Sequence, residues 1–210
     1  MANMDNLDLK RVHRELYTAK RGQFTLVEVP ELVYLQVDGH GDPNSSAEYG
    51  AALQALYTVS YGARRICKTR LERKHTVAPL EGLWTAADMS SFVDRRKDDW
   101  DWTMMIAQPD YVTAEIIAEA IEDARAKSLA ALDRLRFGSF EEGLSVQTLH
   151  VGPYDDEGPV LQRMHEEFIP EQGLEMTGSH HEVYLSDARK TVPEKLRTIL
   201  RQPVRRRENG

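Results

Sequence analysis

The sequence His-Glu-Val-Tyr-Leu near the C-terminus predicts a strand over residues 181–185 that carries two side chains able to do acid–base chemistry. Successive side chains of a strand point to opposite faces, so Glu182 and Tyr184 share one face and the other three residues share the second. The second face is apolar enough to bury against helices, which leaves a carboxylate and a phenol together toward a cleft. An exposed antiparallel strand with its polar face in water would show the same alternation. The strand alone therefore leaves both interpretations open.

All three tryptophans fall within or beside two neighbouring predicted strands, at positions 84, 100 and 102. Large rings mostly serve packing, so a role in the core is the simpler interpretation. Alternation along the two strands nevertheless allows Trp102 to pack inward while Trp84 stands over a cleft. Trp84 and Trp102 are therefore candidate ligand contacts.

The histidines do not form a recognisable metal site. His180 and His181 are adjacent in a strand-like segment and point to opposite faces, so they cannot readily bind one ion, and His150 lies on another predicted strand. The sequence also lacks a Gly-x-Ser-x-Gly elbow, a phosphate-binding loop and a dinucleotide fingerprint. We therefore expect neither a metal nor another cofactor.

The composition narrows the classes of partner. The 210 residues carry 34 Asp and Glu against 27 Lys and Arg, which argues against a broad surface for nucleic acid or anionic membrane. Cys67 is the only cysteine, so no internal disulfide can form and a reducing cytoplasm fits best. The sequence shows no signal peptide and no apolar window of membrane-spanning length. We expect a small-molecule partner and a monomer or weak homodimer.

Two stretches of the chain show the same order of predicted elements. The predicted elements are strands 24–29 and 33–38, a helix capped by Ser46 and running to Cys67, strands 74–78, 80–85 and 102–107, a helix from Thr113 to Gly138, strand 144–151, a helix ending at Pro170 and a last strand 181–185. A duplicated strand–helix–strand–strand unit is the simplest account of this order. The expected fold class is α+β, with an antiparallel sheet platform, helices on one face and a ligand cleft between the halves.

The two ends of the chain are charged segments that lie outside this repeat. Residues 1–22 are predicted to be a surface lead-in, with a helical turn or two around residues 9–17. Residues 23–204 are expected to form a single ligand-binding domain, with pseudo-repeats at about 23–137 and 138–204, followed by a basic tail at 205–210. The basic run that begins at Arg201 is predicted to be solvated.

Short segments in a fixed order along the chain resemble a known family. No single segment is specific, but their order and spacing together are; they are Val37–Asn44, Ala55–Tyr57 with Tyr61, Pro79–Trp84, Gln108–Asp110, Glu142–Gly143, Gln147–Tyr154, His181–Asp187 and Thr198–Val204. The set resembles the stand-alone GyrI-like (gyrase-inhibitor-like) small-molecule-binding proteins. Members fused to helix-turn-helix domains sense drugs, and the lead-in here is too short for such a domain.

The resemblance implies a duplicated fold with a hydrophobic cleft. In some stand-alone members it also implies hydrolysis of the cyclopropane ring of DNA-alkylating natural products of the duocarmycin type. The implied pocket glutamate matches Glu182, with Tyr57 and Tyr184 as its polar partners. Further expected ligand contacts are Trp84, Trp102, Tyr154, Tyr61 and His150. The implied function is a bacterial, cytoplasmic hydrolase for xenobiotic detoxification.

Elementary chemistry supports such a hydrolytic role and leaves two alternative functions open. A carboxylate in an apolar pocket can take a proton from a water that attacks the strained carbon, and ring faces can hold a flat ligand by stacking. A carboxylate among aromatic rings also suits lipophilic cations, so a non-catalytic multidrug binder, a sequestering protein or a sensor is the alternative. A gyrase-inhibitor-like interaction protein rests only on analogy at the level of the fold.

Overall fold

The computed structural model describes residues 6–88, 91 and 94–207. The strands are β1 (Asn6–Leu7), β2 (Thr25–Val29), β3 (Leu32–His40), β4 (Lys74–His75), β5 (Leu80–Ala86), β6 (Trp100–Gln108), β7 (Arg136–Phe140), β8 (Gly143–Val151), β9 (Leu174–Met176), β10 (His180–Tyr184) and β11 (Arg197–Arg206). The α-helices are α1 (Leu9–Val12), α2 (Ala47–Arg70), α3 (Ala114–Ala124), α4 (Gly158–Gln162) and α5 (Ile169–Glu171), and a π-helical segment, Arg163–Phe168, joins α4 to α5. Short 3-10 turns lie at Lys97–Asp99, Arg125–Lys127, Leu132–Arg134, Tyr154–Asp156 and Pro193–Lys195. None of the helices in the described ranges combines the length and the apolar character that a bilayer crossing requires.

These elements fall into two units. The first comprises residues up to 12, 32–80 and 86–140, and the second comprises residues 13–31, 81–85 and 141 onward. The chain order β3, α2, β5, β6 recurs as β8, α4 with the helical segments that continue it, β10 and β11. The predicted α+β class with a duplicated strand–helix–strand–strand unit is confirmed.

The first unit is built on an antiparallel sheet in the order β6–β3–β7, with α2 packed against the sheet and α3 packed against α2. Ser46 begins α2, because its hydroxyl accepts a hydrogen bond from the backbone N–H of Tyr49 at 3.2 Å. Gly62 allows a close crossing of the two helices, since a Cβ there would lie 3.2 Å from the Cβ of Ala120. The residues of α2 that are completely buried include Ala52, Ala55, Leu56, Val59 and Ala63.

The second unit carries strands in the order β2–β8–β11–β10–β5, with β9 paired to the end of β11. Strand β8 pairs antiparallel with β2 and β11, and β10 pairs antiparallel with β11. The helical segments from α4 to α5 bury Met164 and Ile169 in a cluster with Val146 and Leu200 of the sheet. This cluster identifies the face of β8, β10 and β11 that lies toward the helices.

The predicted helix from Thr113 to Gly138 is wrong beyond Ala124. Thr113 does begin α3, with its hydroxyl accepting a backbone N–H as the cap. The chain then leaves the helix through 3-10 turns, and Ser128 adopts a left-handed φ of 51° that a helix cannot continue through. Ala131 is buried outside any α-helix, so an apolar spacing that resembled a helix comes from loop packing. Gly138, predicted to cap the helix, lies within β7.

A long strand follows the one that was predicted to be last. β11 pairs with both β8 and β10, so the prediction that the strand at residues 181–185 ends the fold is wrong. The basic run from Arg201 begins inside β11, and Arg201 is 1% exposed rather than solvated. Its guanidinium forms an ion pair with Glu142 at 3.2 Å and donates hydrogen bonds to Oε1 of Gln147. Both partners are distant in sequence, so the local charge pattern could not reveal this burial.

Part of the predicted surface lead-in is also buried. Helix α1 covers only residues 9–12, and after it Leu16 and Tyr17 are 2% and 7% exposed. The carbonyl oxygen of Leu16 accepts a hydrogen bond from Nη2 of Arg201 at 2.6 Å, and that of Glu15 accepts one from Nε2 of Gln147 at 2.8 Å. These residues therefore cover the face of the second sheet opposite its helices.

Candidate functional site

Glu182 lies in the middle of β10, on the face of the second sheet that the helices cover. Its cross-strand partner is Leu200, which packs in the same cluster as Met164. The side chain of Glu182 is 13% exposed, so this face does not open onto bulk water. The sequence predicted that the opposite face of this strand, with His181 and Val183, packs on the helices, and this prediction is wrong. That face is also buried, but on the far side of the sheet from the helices, where Val183 is fully enclosed.

A second carboxyl group, Glu157, lies against Glu182. It follows the 3-10 turn after β8, and it is 5% exposed. Burial, the negative charge of Glu182 and a hydrogen bond between the two carboxyl groups raise the pKa of Glu157 well above its ordinary value, against an opposing contribution from the Thr198 hydroxyl. Two carboxyl groups in contact cannot both ionise cheaply, and burial favours the protonated form of Glu157. The sequence offers no signal for this residue, since Glu157 ends an acidic run that is typical of a solvated turn.

Three aromatic side chains form a cluster beside this carboxyl pair. The indole N–H of Trp84, in β5, donates to the hydroxyl oxygen of Tyr184 at 3.1 Å. The ring of Tyr154 packs edge-on against that of Tyr184, with ring centres 5.7 Å apart and planes at 81°. Trp84 is 5% exposed and Tyr154 is 38% exposed, so the cluster runs from the interior to the surface of the second unit.

His150 holds the turn that carries Tyr154. It lies on β8 opposite Thr198, and its Nε2–H donates to the carbonyl oxygen of Pro153 at 3.0 Å. Gly152 lies directly beneath the ring with a φ of 144°, and a Cβ there would approach Nε2 of His150 to 3.3 Å. The structure thus brings together Glu182, Tyr184, Trp84, Tyr154 and His150 in the second unit.

The other three predicted site residues lie in the first unit. Tyr57 and Tyr61 are on α2, where Tyr57 is half-buried and Tyr61 is 56% exposed. Trp102 is 2% exposed, with its ring packed edge-on against Tyr49 at a centre distance of 5.2 Å. The ring lies over the backbone of Gly39, where a Cβ would come within 2.0 Å of it. Trp102 is therefore a core residue of the first unit in this conformation.

The opposite face of the second sheet holds a buried network of charges. His181 is fully buried, with Nδ1 2.9 Å from Oε2 of Glu142 and Nε2 3.0 Å from Oε2 of Glu81. Because both ring nitrogens contact carboxylates, the ring donates two hydrogen bonds and is an imidazolium. Burial and the charge of Arg201 oppose this charge, but the charge of Glu142 and the hydrogen bonds to Glu142 and Glu81 outweigh them and raise the pKa of His181 to about 9.

Arg201 and Tyr17 extend this network. Nη1 of Arg201 lies 3.2 Å from the same Oε2 of Glu142, and the Tyr17 hydroxyl donates to Oε1 of Glu81 at 2.9 Å. Burial works against the charge of Glu142, but His181 and Arg201 together hold its pKa below the usual value. Two cations and two carboxylates therefore tie β10 to its neighbours from the side opposite Glu182. The one sequence signal for this network is Arg201 itself, which interrupts the apolar residues Ile199, Leu200, Pro203 and Val204.

Within residues 6–88, 91 and 94–207, no group of three or more His, Cys, Asp or Glu side chains is arranged to hold a metal ion. The chemistry that the residues can offer is proton transfer at a carboxyl pair, next to rings that can stack on a flat ligand.

The duplicated α+β fold is that of a small-molecule-binding domain. Residues 22–205 match the GyrI-like small molecule binding domain. The chain belongs to the GyrI-like family, and the resemblance noted in the sequence is confirmed. No curated protein matches the chain.

Solved structures of similar proteins share the whole fold. An uncharacterized conserved protein from Listeria innocua is 40% identical, with a TM-score of 0.87 over 95% of this chain and 100% of its own. A hydrolase from Listeria innocua is 38% identical, with a TM-score of 0.82 over 95% of this chain and 100% of its own. A further hydrolase structure from the same organism is also 38% identical, with a TM-score of 0.85 over 96% of this chain and 100% of its own.

Proposed function

We propose that this protein binds flat, hydrophobic aromatic xenobiotics and hydrolyses those that carry an electrophilic cyclopropane, as duocarmycin-like alkylators do. The observation that carries the proposal is the pair of Glu157 and Glu182, in which burial and the neighbouring carboxyl group raise the pKa of Glu157 beside a Glu182 side chain that is 13% exposed. The rings of Tyr184, Trp84 and Tyr154 lie beside this pair. Similarity to two hydrolases from Listeria innocua supports a hydrolytic role, and the family supports a small molecule as the substrate.

Glu182 is the general base of the proposed reaction. Its carboxylate takes a proton from water while the water oxygen bonds to a cyclopropane carbon and the carbon–carbon bond of the ring breaks. The electron pair of that bond enters the conjugated dienone and makes it a phenolate, which then takes a proton. Tyr184 can supply this proton and recover it from solvent, because the N–H that it accepts from Trp84 orients its hydroxyl away from the indole. The product is a ring-opened phenol with one water added.

Glu157 positions the base and does not itself react. Because burial favours the protonated form of Glu157, a hydrogen bond from Glu157 fixes one carboxylate oxygen of Glu182 and leaves the other for the attacking water. The burial of Glu157 keeps this proton from exchanging freely with solvent. On the opposite face of the sheet, the buried charges around His181 hold the backbone of β10 and so the position of Glu182.

Turnover of a cyclopropane-bearing aromatic alkylator tests the proposal. The ring-opened product is followed by liquid chromatography and mass spectrometry with the wild-type protein and with Glu182→Gln, which keeps the shape of the side chain but cannot take a proton. We expect the variant to lower kcat by at least about 100-fold. Glu171→Gln changes an exposed glutamate of the same unit and should leave kcat unchanged. A wild type without product, or full activity in Glu182→Gln, contradicts the proposal.

Binding of lipophilic cations without chemistry is the second candidate. The observation that favours it is the carboxyl pair of Glu157 and Glu182 in the same unit as the aromatic cluster, because carboxyl groups near ring faces attract organic cations. A fluorescent cationic dye should then bind the wild type tightly and Glu182→Gln at least about 10-fold more weakly. Tight dye binding together with no turnover of the alkylator would select this function over hydrolysis.

A further inference from the structure

Two histidines lie behind Glu182 on the helix-covered face of the second unit. His180 is two residues away on β10 and shares its face, with Nε2 3.6 Å from Oε1 of Glu182. The ring of His165 packs edge-on against that of His180, with ring centres 6.2 Å apart and planes at 76°. Glu182, His180 and His165 therefore form a continuous row of proton-binding groups.

Three of the four ring nitrogens of the two histidines in this row have no hydrogen-bond partner among the described residues. They are both ring nitrogens of His180 and Nε2 of His165, and all three are buried. Oε1 of Glu157, beside Glu182, is also buried and has no hydrogen-bond partner among the described residues. Buried polar atoms are nearly always paired, because an unpaired one costs about 1–3 kcal/mol. Four such atoms in one region point to groups that exchange protons during function.

The backbone that carries His165 is also unusual. The residues Arg163–Phe168 form a π-helical segment, a rare conformation that occurs frequently at functional sites. The segment brings His165 against β10 while its neighbours Glu166 and Glu167 are exposed. His165 itself is half-buried, so the row ends close to solvent.

We propose that His180 and His165 form a proton relay that returns Glu182 to its carboxylate form after each turnover, a role that rests on the proposed hydrolysis. Glu182 passes the proton that it has taken from water to Nε2 of His180. His180 releases the proton on Nδ1 toward His165, directly or through one water, and His165 releases a proton to solvent. The water O–H bond is broken once, and its proton ends in bulk solvent. Each imidazole ring then returns to its starting tautomer by rotation or by exchange of its ring proton, so the row gains and loses no proton over a cycle.

The protonation of His165 fits this role. Burial, and then the neighbouring His180, lower its pKa to about 4. A ring with that pKa is neutral at pH 7, so it can accept a proton and does not retain it. A histidine that formed a lasting ion pair would instead trap the proton, as His181 does on the other face of the sheet.

The relay is tested with His165→Gln, because the side chain is partly exposed and glutamine keeps its polarity without passing protons. We expect kcat to fall about 10-fold with KM unchanged, and added imidazole to restore most of the loss. His40→Gln replaces an exposed histidine of the first unit and should keep kcat with no response to imidazole. Nitrogen-15 spectra of the imidazole rings supply a readout that does not depend on turnover: the His180 signals should shift in Glu182→Gln.

Each outcome of these experiments bears on the hydrolysis, on the relay or on both. No wild-type turnover refutes the hydrolysis and the relay together. Wild-type turnover with an unchanged kcat in His165→Gln, or a loss that imidazole does not restore, overturns the relay and leaves the hydrolysis standing. Unchanged His180 signals in Glu182→Gln also overturn the relay, and these spectra decide the matter if His165→Gln does not fold.

Discussion

His181 makes the stability of this protein depend on pH in the alkaline range. Its contacts with Glu81 and Glu142 raise its pKa from 6.5 to about 9 in the folded state. A group whose pKa is raised by folding stabilises the folded state fully below its unfolded pKa, and this stabilisation is lost as the pH rises through the folded pKa. The interval from 6.5 to about 9 corresponds to about 3 kcal/mol, at about 1.4 kcal/mol per pH unit.

Urea unfolding followed by tryptophan fluorescence measures this effect. The free energy of unfolding of the wild type should fall by about 3 kcal/mol between about pH 6 and about pH 10 through His181. The matched control is His181→Gln, which should lose about 3–5 kcal/mol at neutral pH because it removes the cation between Glu81 and Glu142, leaving Glu142 with Arg201 alone and Glu81 with the Tyr17 hydroxyl. The variant should lack the alkaline decline of the wild type. Parallel pH profiles for the two proteins would refute the assignment of a buried imidazolium.

Two further contacts give shorter tests. Gly39→Ala should destabilise the protein by about 1–3 kcal/mol, because the new Cβ would lie 2.0 Å from the ring of Trp102. Gly50→Ala, at a place in α2 with open space around it, should instead stabilise by about 0.5–1 kcal/mol, and equal shifts in thermal unfolding would contradict both expectations. Trp84→Phe keeps a ring but removes the N–H that Tyr184 accepts, so ligand affinity measured by fluorescence titration should hold while kcat falls about 10-fold, and an unchanged kcat would remove the tyrosine from the mechanism.

Helix beginnings could be predicted from the sequence because their signals are local. Ser46 and Thr113 both cap helices as predicted, since a cap needs only a hydroxyl and the next turn of backbone. The end of α3 could not be predicted in the same way. Ala131 continues the apolar spacing from within a loop, and only the packed fold distinguishes that loop from a helix.

The candidate site likewise combines features that local sequence predicts with contacts that only the tertiary fold creates. Alternation in a strand is local, so it correctly places Glu182 and Tyr184 on one face of β10. Glu157 reaches Glu182 only through the tertiary path of the chain, and its acidic surroundings in sequence are those of a surface turn. Arg201 likewise resembles part of a basic tail until Glu142 is brought beside it. The predicted cleft between the two halves, and the roles of Tyr57, Tyr61 and Trp102 in it, stay predictions.

Hydrolysis in oxygen-18-labelled water tests the central claim most directly, because it reports both the attacking group and the base. The wild-type protein should convert a cyclopropane-bearing alkylator to a ring-opened product that carries the label in its new hydroxyl group. Glu182→Gln should form this labelled product at least about 100-fold more slowly. An unlabelled ring-opened product, or labelled product formed equally fast by both proteins, would contradict water attack assisted by Glu182.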